Sequence, residues 1–221
     1  SLIVRHVETS AANATAVLLE VTGTTSIATT TAVETSGTDQ DAANSSTLTL
    51  GGNATLTGAV SVTAQGSGNA GSDATINFNG QTNQTGAITL NTGTGQAILN
   101  FGHTAAASTH SGTIDGAADN EGDLNVITGA TNAITFANNI GATQDLAVIN
   151  IGTAVTAGNA AFTGSVDALA ITVNAVEGDS SADFNGALVI GASDLTLDGG
   201  DGAGEDALVT IAGNVTVESG T

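Results

Sequence analysis

Short apolar runs alternate with polar residues at a period of two along this chain, and glycine punctuates them. The stretch Ala182-Asp183-Phe184-Asn185-Gly186-Ala187-Leu188-Val189-Ile190 shows the unit, which returns as Val209-Thr210-Ile211-Ala212-Gly213-Asn214-Val215-Thr216-Val217. Strict alternation is the pattern of a strand with one buried face, and glycine marks a turn or a close backbone approach. Each copy therefore predicts strand, corner, strand. The same apolar-x-Gly corner stands at Val21-Thr22-Gly23, Leu56-Thr57-Gly58, Phe78-Asn79-Gly80 and Phe162-Thr163-Gly164, with looser forms at Phe101-Gly102 and Phe136-Ala137-Asn138. From residue 21 to residue 211 the intervals are 35, 22, 23, 35, 26, 22 and 27, and all five Phe residues fall on this register. Ile127-Thr128-Gly129 fits as well as Phe136, and Leu50-Gly51-Gly52 lies off the register, so the phase stays open.

An all-strand repeat of this length predicts an all-β chain folded as a parallel β-solenoid (β-helix), with coils of about 22–27 residues stacked so that each buries the apolar residues of the next. The alternative is a β-sandwich, which takes about 100 residues per domain and commonly buries a large aromatic; this chain has no Trp and no Tyr. The two longer intervals predict two loop excursions, over Ile27 to Ser46 and over His103 to Asp123, where alternation lapses. Residues 1–221 then form a single elongated domain. Within it, 1–20 is read as a first coil, a cap or a strand arm.

Charge narrows the partners. There are 21 acidic residues against a single base, Arg5. Binding nucleic acid needs clustered Lys and Arg to displace counterions, so that class is excluded, and anionic membranes are repelled. Disorder is the other reading of an acidic chain poor in aromatics, but this one alternates Val, Ile and Leu for most of its length. The absence of Cys removes disulfides, which is compatible with a prokaryotic cell surface. No run approaches 18 apolar residues, so no membrane-spanning segment is expected. The chain opens at Ser1 without Met, basic n-region or signal peptide, and a processed or partial product is expected.

Candidate chemistry is sparse. Asp194, Asp198, Asp201, Glu205 and Asp206, threaded with Gly199, Gly200, Gly202 and Gly204, form the densest acidic stretch, and hard oxygen ligands on flexible backbone suit calcium. Gly199-Gly200-Asp201-Gly202-Ala203-Gly204-Glu205-Asp206 resembles the calcium-binding nonapeptide of the repeat-in-toxin family, departing from it where Gly204 takes the place of Asp. The competing reading is a solvated acidic loop. His103 and His110, seven apart and near Asp115 in a segment that also holds Asp119, Glu121 and Asp123, are candidate ligands for a transition metal, and exposed histidines of a polar loop are the plainer reading. Polysaccharide-degrading solenoids set an enzyme against this reading. Asp167, Asp179 and Asp183 supply carboxylates, but there is almost no base for an anionic sugar and no Trp or Tyr to stack on one. Thr-x-Thr pairs such as Thr47-Thr49 and Thr55-Thr57 suggest an ice-binding solenoid, yet the column Thr22, Thr57, Asn79, Gly102, Ala137, Thr163, Asn185, Ala212 is no hydroxyl ladder. Asn13, Asn44, Asn53, Asn83 and Asn214 head glycosylation sequons.

Thr-, Ala-, Gly- and Asn-rich strands without Cys and almost without bases resemble the repetitive regions of prokaryotic cell-surface proteins: S-layer proteins, autotransporter passengers and secreted adhesins. The resemblance covers nearly the whole chain and rests on style and repeat rather than a diagnostic motif. It implies a non-enzymatic extracellular structural protein, a self-assembling subunit of a surface filament, S-layer or biofilm matrix. Its partners would be other copies joined end to end, with surface glycans as a further class. The alternative is an adhesin or autotransporter stalk presenting a separate binding region.

Overall fold

The computed structural model describes residues 1–8, 16–37, 44–66, 72–103, 106–129, 131–175, 178–191, 194–200 and 205–218. These residues form an all-β parallel solenoid with no helix. Every named strand pair is parallel, and strands of successive coils stack on three faces. The first face runs from Leu2–Glu8 through Thr31–Gly37, Val60–Gly66 and Ile88–Thr92 to Ile114–Gly116. The second begins at Ala16–Val21 and continues through Ser45–Leu50, Ala74–Phe78, Ala97–Phe101, Asp123–Val126 and Leu146–Ile151. The third has eight strands, from Thr25–Ile27 through Ala54–Leu56, Thr82–Gln84, Ser108–His110, Ile134–Phe136, Asn159–Phe162 and Ser180–Phe184 to Ala207–Ile211. Residues 2–8 and 16–21 belong to the first coil, since Leu2–Glu8 pairs along Thr31–Gly37 and Ala16–Val21 along Ser45–Leu50.

The first and second faces merge toward the C terminus. Val166–Ala175 is one ten-residue strand whose first half receives Leu188–Ile190 and whose second half receives Leu195–Gly199. Its burial alternates except at Leu169 and Ala170, which are both half-buried. That doublet is what remains of the corner between the two faces. Running straight through a corner saves turn residues, and the neighbouring steps are the shortest in the molecule: Ser181 stacks on Asn159, 22 residues earlier, whereas Glu34 stacks on Arg5 across 29.

The core is one continuous column of inward-facing Leu, Ile, Val, Ala and Phe. Phe78 and Phe101 stack on the second face, with ring centroids 5.1 Å apart. Phe136, Phe162 and Phe184 stack on the third at 5.0 and 4.9 Å. Phe101 meets Phe136 edge to face at 5.4 Å, which joins the two stacks across the interior.

Two expectations need correction. The apolar-x-Gly register combined two different corners, because Val21, Phe78 and Phe101 end second-face strands while Leu56, Phe136, Phe162, Phe184 and Ile211 end third-face strands; Leu50, off that register, also ends a second-face strand. The intervals of 35 were jumps from one face to the other, and the coils themselves run from 22 to 29 residues. The two expected loop excursions give way to strand where the residues are described. Ile27 to Ser46 contains Thr31–Gly37, and His103 to Asp123 contains Ser108–His110 and Ile114–Gly116, while 38–43 and 104–105 lie outside the described residues.

A glycine column replaces the mistaken register. Gly58, Gly86, Gly112, Gly164, Gly186 and Gly213 each sit two residues after a third-face strand, and Thr29 and Asn138 take the remaining two places. A Cβ on any of these glycines would collide with backbone of the preceding coil. Here glycine is required by the approach of one chain level to the next rather than by an unusual φ.

Candidate functional site

The acidic stretch does not assemble into a metal centre among the described residues: no three Asp, Glu or His side chains converge there or elsewhere. Asp194 and Asp198 are exposed beside and on Leu195–Gly199, the carbonyl of Asp194 accepting from Ile171 N. Glu205 is half-buried, Asp206 is exposed and donates its backbone N–H to Asp179 Oδ1, and Asp201 lies outside the described residues. Other carboxylates are spent in a similar way on the adjacent coil. Asp73 accepts from Gln96 N, Asp115 from Thr143 N and Asp145 from Asn120 N. Asp167 is different, because partial burial and then the carboxylates of Asp145, Glu218 and Asp119 push its pKa up to about 6.

His103 and His110 are not exposed loop residues. Both are buried, and neither has a hydrogen-bonding partner at its ring nitrogens. His110 occupies an inward third-face position, its ring 5.8 Å from those of Phe101 and Phe136. Burial pushes its pKa down to about 4, and backbone of Gly112 and Thr113 offsets this only in part. Burial lowers His103 as well, with Ala133 backbone opposing. One coil earlier the equivalent position holds Gln84, whose Nε2 donates to Gly86 O while its Oε1 is unpartnered. Polar residues therefore replace apolar ones inside two consecutive coils.

Two outer faces carry polar columns, and they behave differently. On the second face Asn150 donates to Asn125, Asn125 to Asn100, Asn100 to Asn77 and Asn77 to Thr49 Oγ1, at 2.7–3.0 Å. These amides are occupied by one another. The sequence reading missed this ladder because its residues lie on strands at steps of 23, 25 and 28, which only the correct register reveals. On the third face the outward column reads Ser26, Thr55, Asn83, Thr109, Thr135, Ala161, Asp183 and Thr210. Thr55, Asn83 and Thr109 make no side-chain hydrogen bond among the described residues. Of the sequon asparagines described, Asn53, Asn83 and Asn214 are exposed and Asn44 is buried.

Among the described residues, Leu2–Glu8, Ala16–Val21 and Thr25–Ile27 are paired on one side only, as are Leu195–Gly199, Ala207–Ile211 and Val215–Val217. Inward-column residues there are incompletely covered: Val17, Leu19, Val21 and Ile27 at one end, Leu195, Val209 and Ile211 at the other. Val217, whose partner Ile190 is buried, is 68% exposed. No helix among the described residues is long and apolar enough to cross a membrane. No family model matches this chain, and no curated protein or solved structure matches it.

Proposed function

We propose that this protein is a non-enzymatic, extracellular structural subunit whose copies stack end to end into a filament or layer. The observation that carries the reading is the two ends of the described strand stack. Each presents three parallel strand edges and a half-covered apolar column, and unpaired edges of this kind are templates for another chain. The edges also correspond face by face: Leu2–Glu8 can extend the first face beyond Val215–Val217, Ala16–Val21 the second beyond Leu195–Gly199, and Thr25–Ile27 the third beyond Ala207–Ile211. Contacts that join one end to the opposite end are heterologous, and unless they close into a ring they generate filaments. Charge opposes the contact, since Arg5 is paired with Glu34 and shares its coil with Glu20, while Asp194, Asp198, Glu205, Asp206 and Glu218 gather near the other end. The extracellular placement is supported by the absence of Cys and by the resemblance in composition to prokaryotic surface repeats.

Sedimentation velocity across a salt series, with electron microscopy of the same samples, tests the reading. Acidic repulsion is screened within about 8 Å at physiological salt, so association should strengthen as salt is added, and rods should lengthen in steps of one subunit. A chain that stays monomeric at high concentration throughout the series would defeat stacking and leave the adhesin stalk.

A further inference from the structure

The third face carries a second feature, independent of whether copies stack. Between Thr82–Gln84 and Ser108–His110 the strand ladder is open at its start. Only Thr109 with Asn83 and His110 with Gln84 pair, whereas the preceding step pairs all three residues. Thr82 N donates to Ser108 Oγ at 3.0 Å instead of to backbone, and Gln81 Nε2 takes the Ala107 carbonyl at 2.8 Å. Side chains therefore satisfy the groups that the ladder leaves, and the break is built into the sequence. Over it lies a cleft of about 440 Å³, lined by Asn53, Thr55, Gln81, Asn83 and Thr109 together with small residues.

We propose that this cleft binds a neutral polysaccharide lying along the solenoid axis. The wall is preorganised, because Gln81 N donates to Asn53 Oδ1 and Gln81 is itself tied to Ala107, so two amides are fixed before a ligand arrives. Asn53 keeps its amide donors and Gln81 its amide oxygen, while Asn83, Thr55 and Thr109 keep both kinds of group. Sugar hydroxyls donate and accept at once, which is what amides and hydroxyls together can answer. The lining holds no charged side chain in a chain of net charge −20, so neither an anionic nor a cationic ligand finds a partner there. Successive strands stand about 4.8 Å apart, so Thr55, Asn83 and Thr109 repeat along the axis at roughly the length of one sugar unit. The Asn ladder of the second face lacks this capacity, its amides being engaged with each other.

The test is affinity electrophoresis of the whole chain in gels containing dextran, mannan, a soluble β-glucan or, as an anionic control, alginate. Retardation by at least one neutral polymer is expected. The double variant Asn83→Ala/Thr109→Ala, whose side chains make no hydrogen bond within the described chain, should melt as the parent does and bind about tenfold more weakly, the loss of one or two hydrogen bonds. Thr89→Ala, on the exposed first face, should bind as the parent does. The proposal is overturned by retardation in alginate alone, by no retardation in any neutral polymer, or by a double variant that binds unchanged. Inhibition of ice growth without polysaccharide binding would assign the face to ordered water and overturn it as well.

Discussion

Gly164→Ala tests the coil-on-coil approach in the glycine column. An added Cβ would lie 2.5 Å from the carbonyl carbon of Asn138, 2.6 Å from its oxygen and 2.7 Å from Asn139 N, all of them backbone atoms that no rotamer change can clear. The two coils would have to part by roughly 0.5–1 Å before carbon contacts relax. Three hydrogen bonds flank the point: Thr163 N to Phe136 O at 2.9 Å, Ser165 N to Asn139 Oδ1 at 3.0 Å and Asp167 N to Ile140 O at 2.9 Å. Such a parting stretches them beyond the useful range, at about 1 kcal/mol each. Restricting the unfolded chain returns about 0.4–1 kcal/mol. The net loss should be about 2 kcal/mol, or a melting temperature lower by about 4–8 °C for a chain of this size.

The protein contains its own comparison. Besides Thr29 in the first coil, Asn138 is the member of this column that carries a side chain, and in its coil the first face shrinks to isolated bridges through Ile140. There Ile114 N reaches Asn139 O at 3.4 Å, whereas the corresponding bonds from Ile88, Val166 and Leu188 are 2.8 Å. Gly23→Ala is the control, since a Cβ there meets nothing within 4 Å, and it should leave stability unchanged or raise it slightly. Thermal melts give the totals. Hydrogen exchange gives the place, because solenoid stability is a sum of neighbouring coil terms and the loss should concentrate at Thr163, Ser165 and Asp167. Equal effects of the two alanines, or a neutral Gly164→Ala, would refute the coil-on-coil approach.

Three further outcomes are expected. Phe162→Ala removes a ring stacked on both sides and should cost about 3–5 kcal/mol, while exposed Thr57→Ala should stay within about 0.5 kcal/mol; chemical denaturation of both variants checks the contrast. His110 has a native pKa near 4 against an ordinary 6.5, so the unfolded chain binds the proton first, and stability should fall by about 3 kcal/mol as pH drops from 6.5 to 4. Asp167, raised to about 6, works in the opposite sense, its protonation favouring the native state as pH falls from 6 toward the ordinary carboxylate value; its partial exposure weakens the effect. His110→Phe should remove the acid loss and Asp167→Asn the opposing gain, both read from melting curves across that window. If Asp194, Asp198, Asp201, Glu205 and Asp206 take up calcium, adding it to chelated protein should raise the melting temperature with the logarithm of its concentration, and superimposed curves would remove calcium.

Alternation and glycine spacing were enough to read the parallel solenoid, because every inward column is built from residues two apart on strands. The register was not legible from an apolar landmark. Gln84 and His110 stand in the third-face column where other coils place Leu56, Phe136 or Phe162, so the apolar pattern lapses there and Phe78 and Phe101 of the second face are the nearest apolar landmarks. The glycines alone would have kept the count, since Gly58, Gly86, Gly112, Gly164, Gly186 and Gly213 ignore what the column holds. Thr31–Gly37 does not read as a strand because its inward residues include Thr31 and Thr35, and hydroxyls are buried there with Thr35 Oγ1 bonded to Asp73 O. Three-residue strands such as Ser108–His110 are too short to show a period at all.

The place where the pattern failed is physically informative. Local rules are expected to break where a protein gives up packing for something else. Gln84 and His110 remove two large apolar residues from the core, leave an acceptor and two ring nitrogens unpartnered, and lie on the same two strands whose ladder opens beneath the cleft. An interior selected only for rod stability would carry Phe or Leu at both positions, as other coils do. If the polar interior exists to hold the ladder open, replacing both with apolar residues should stabilise the rod and close the cleft together, raising the melting temperature while abolishing polysaccharide retardation. Stabilisation with binding intact would separate the two and make the buried polar pair an accident of packing.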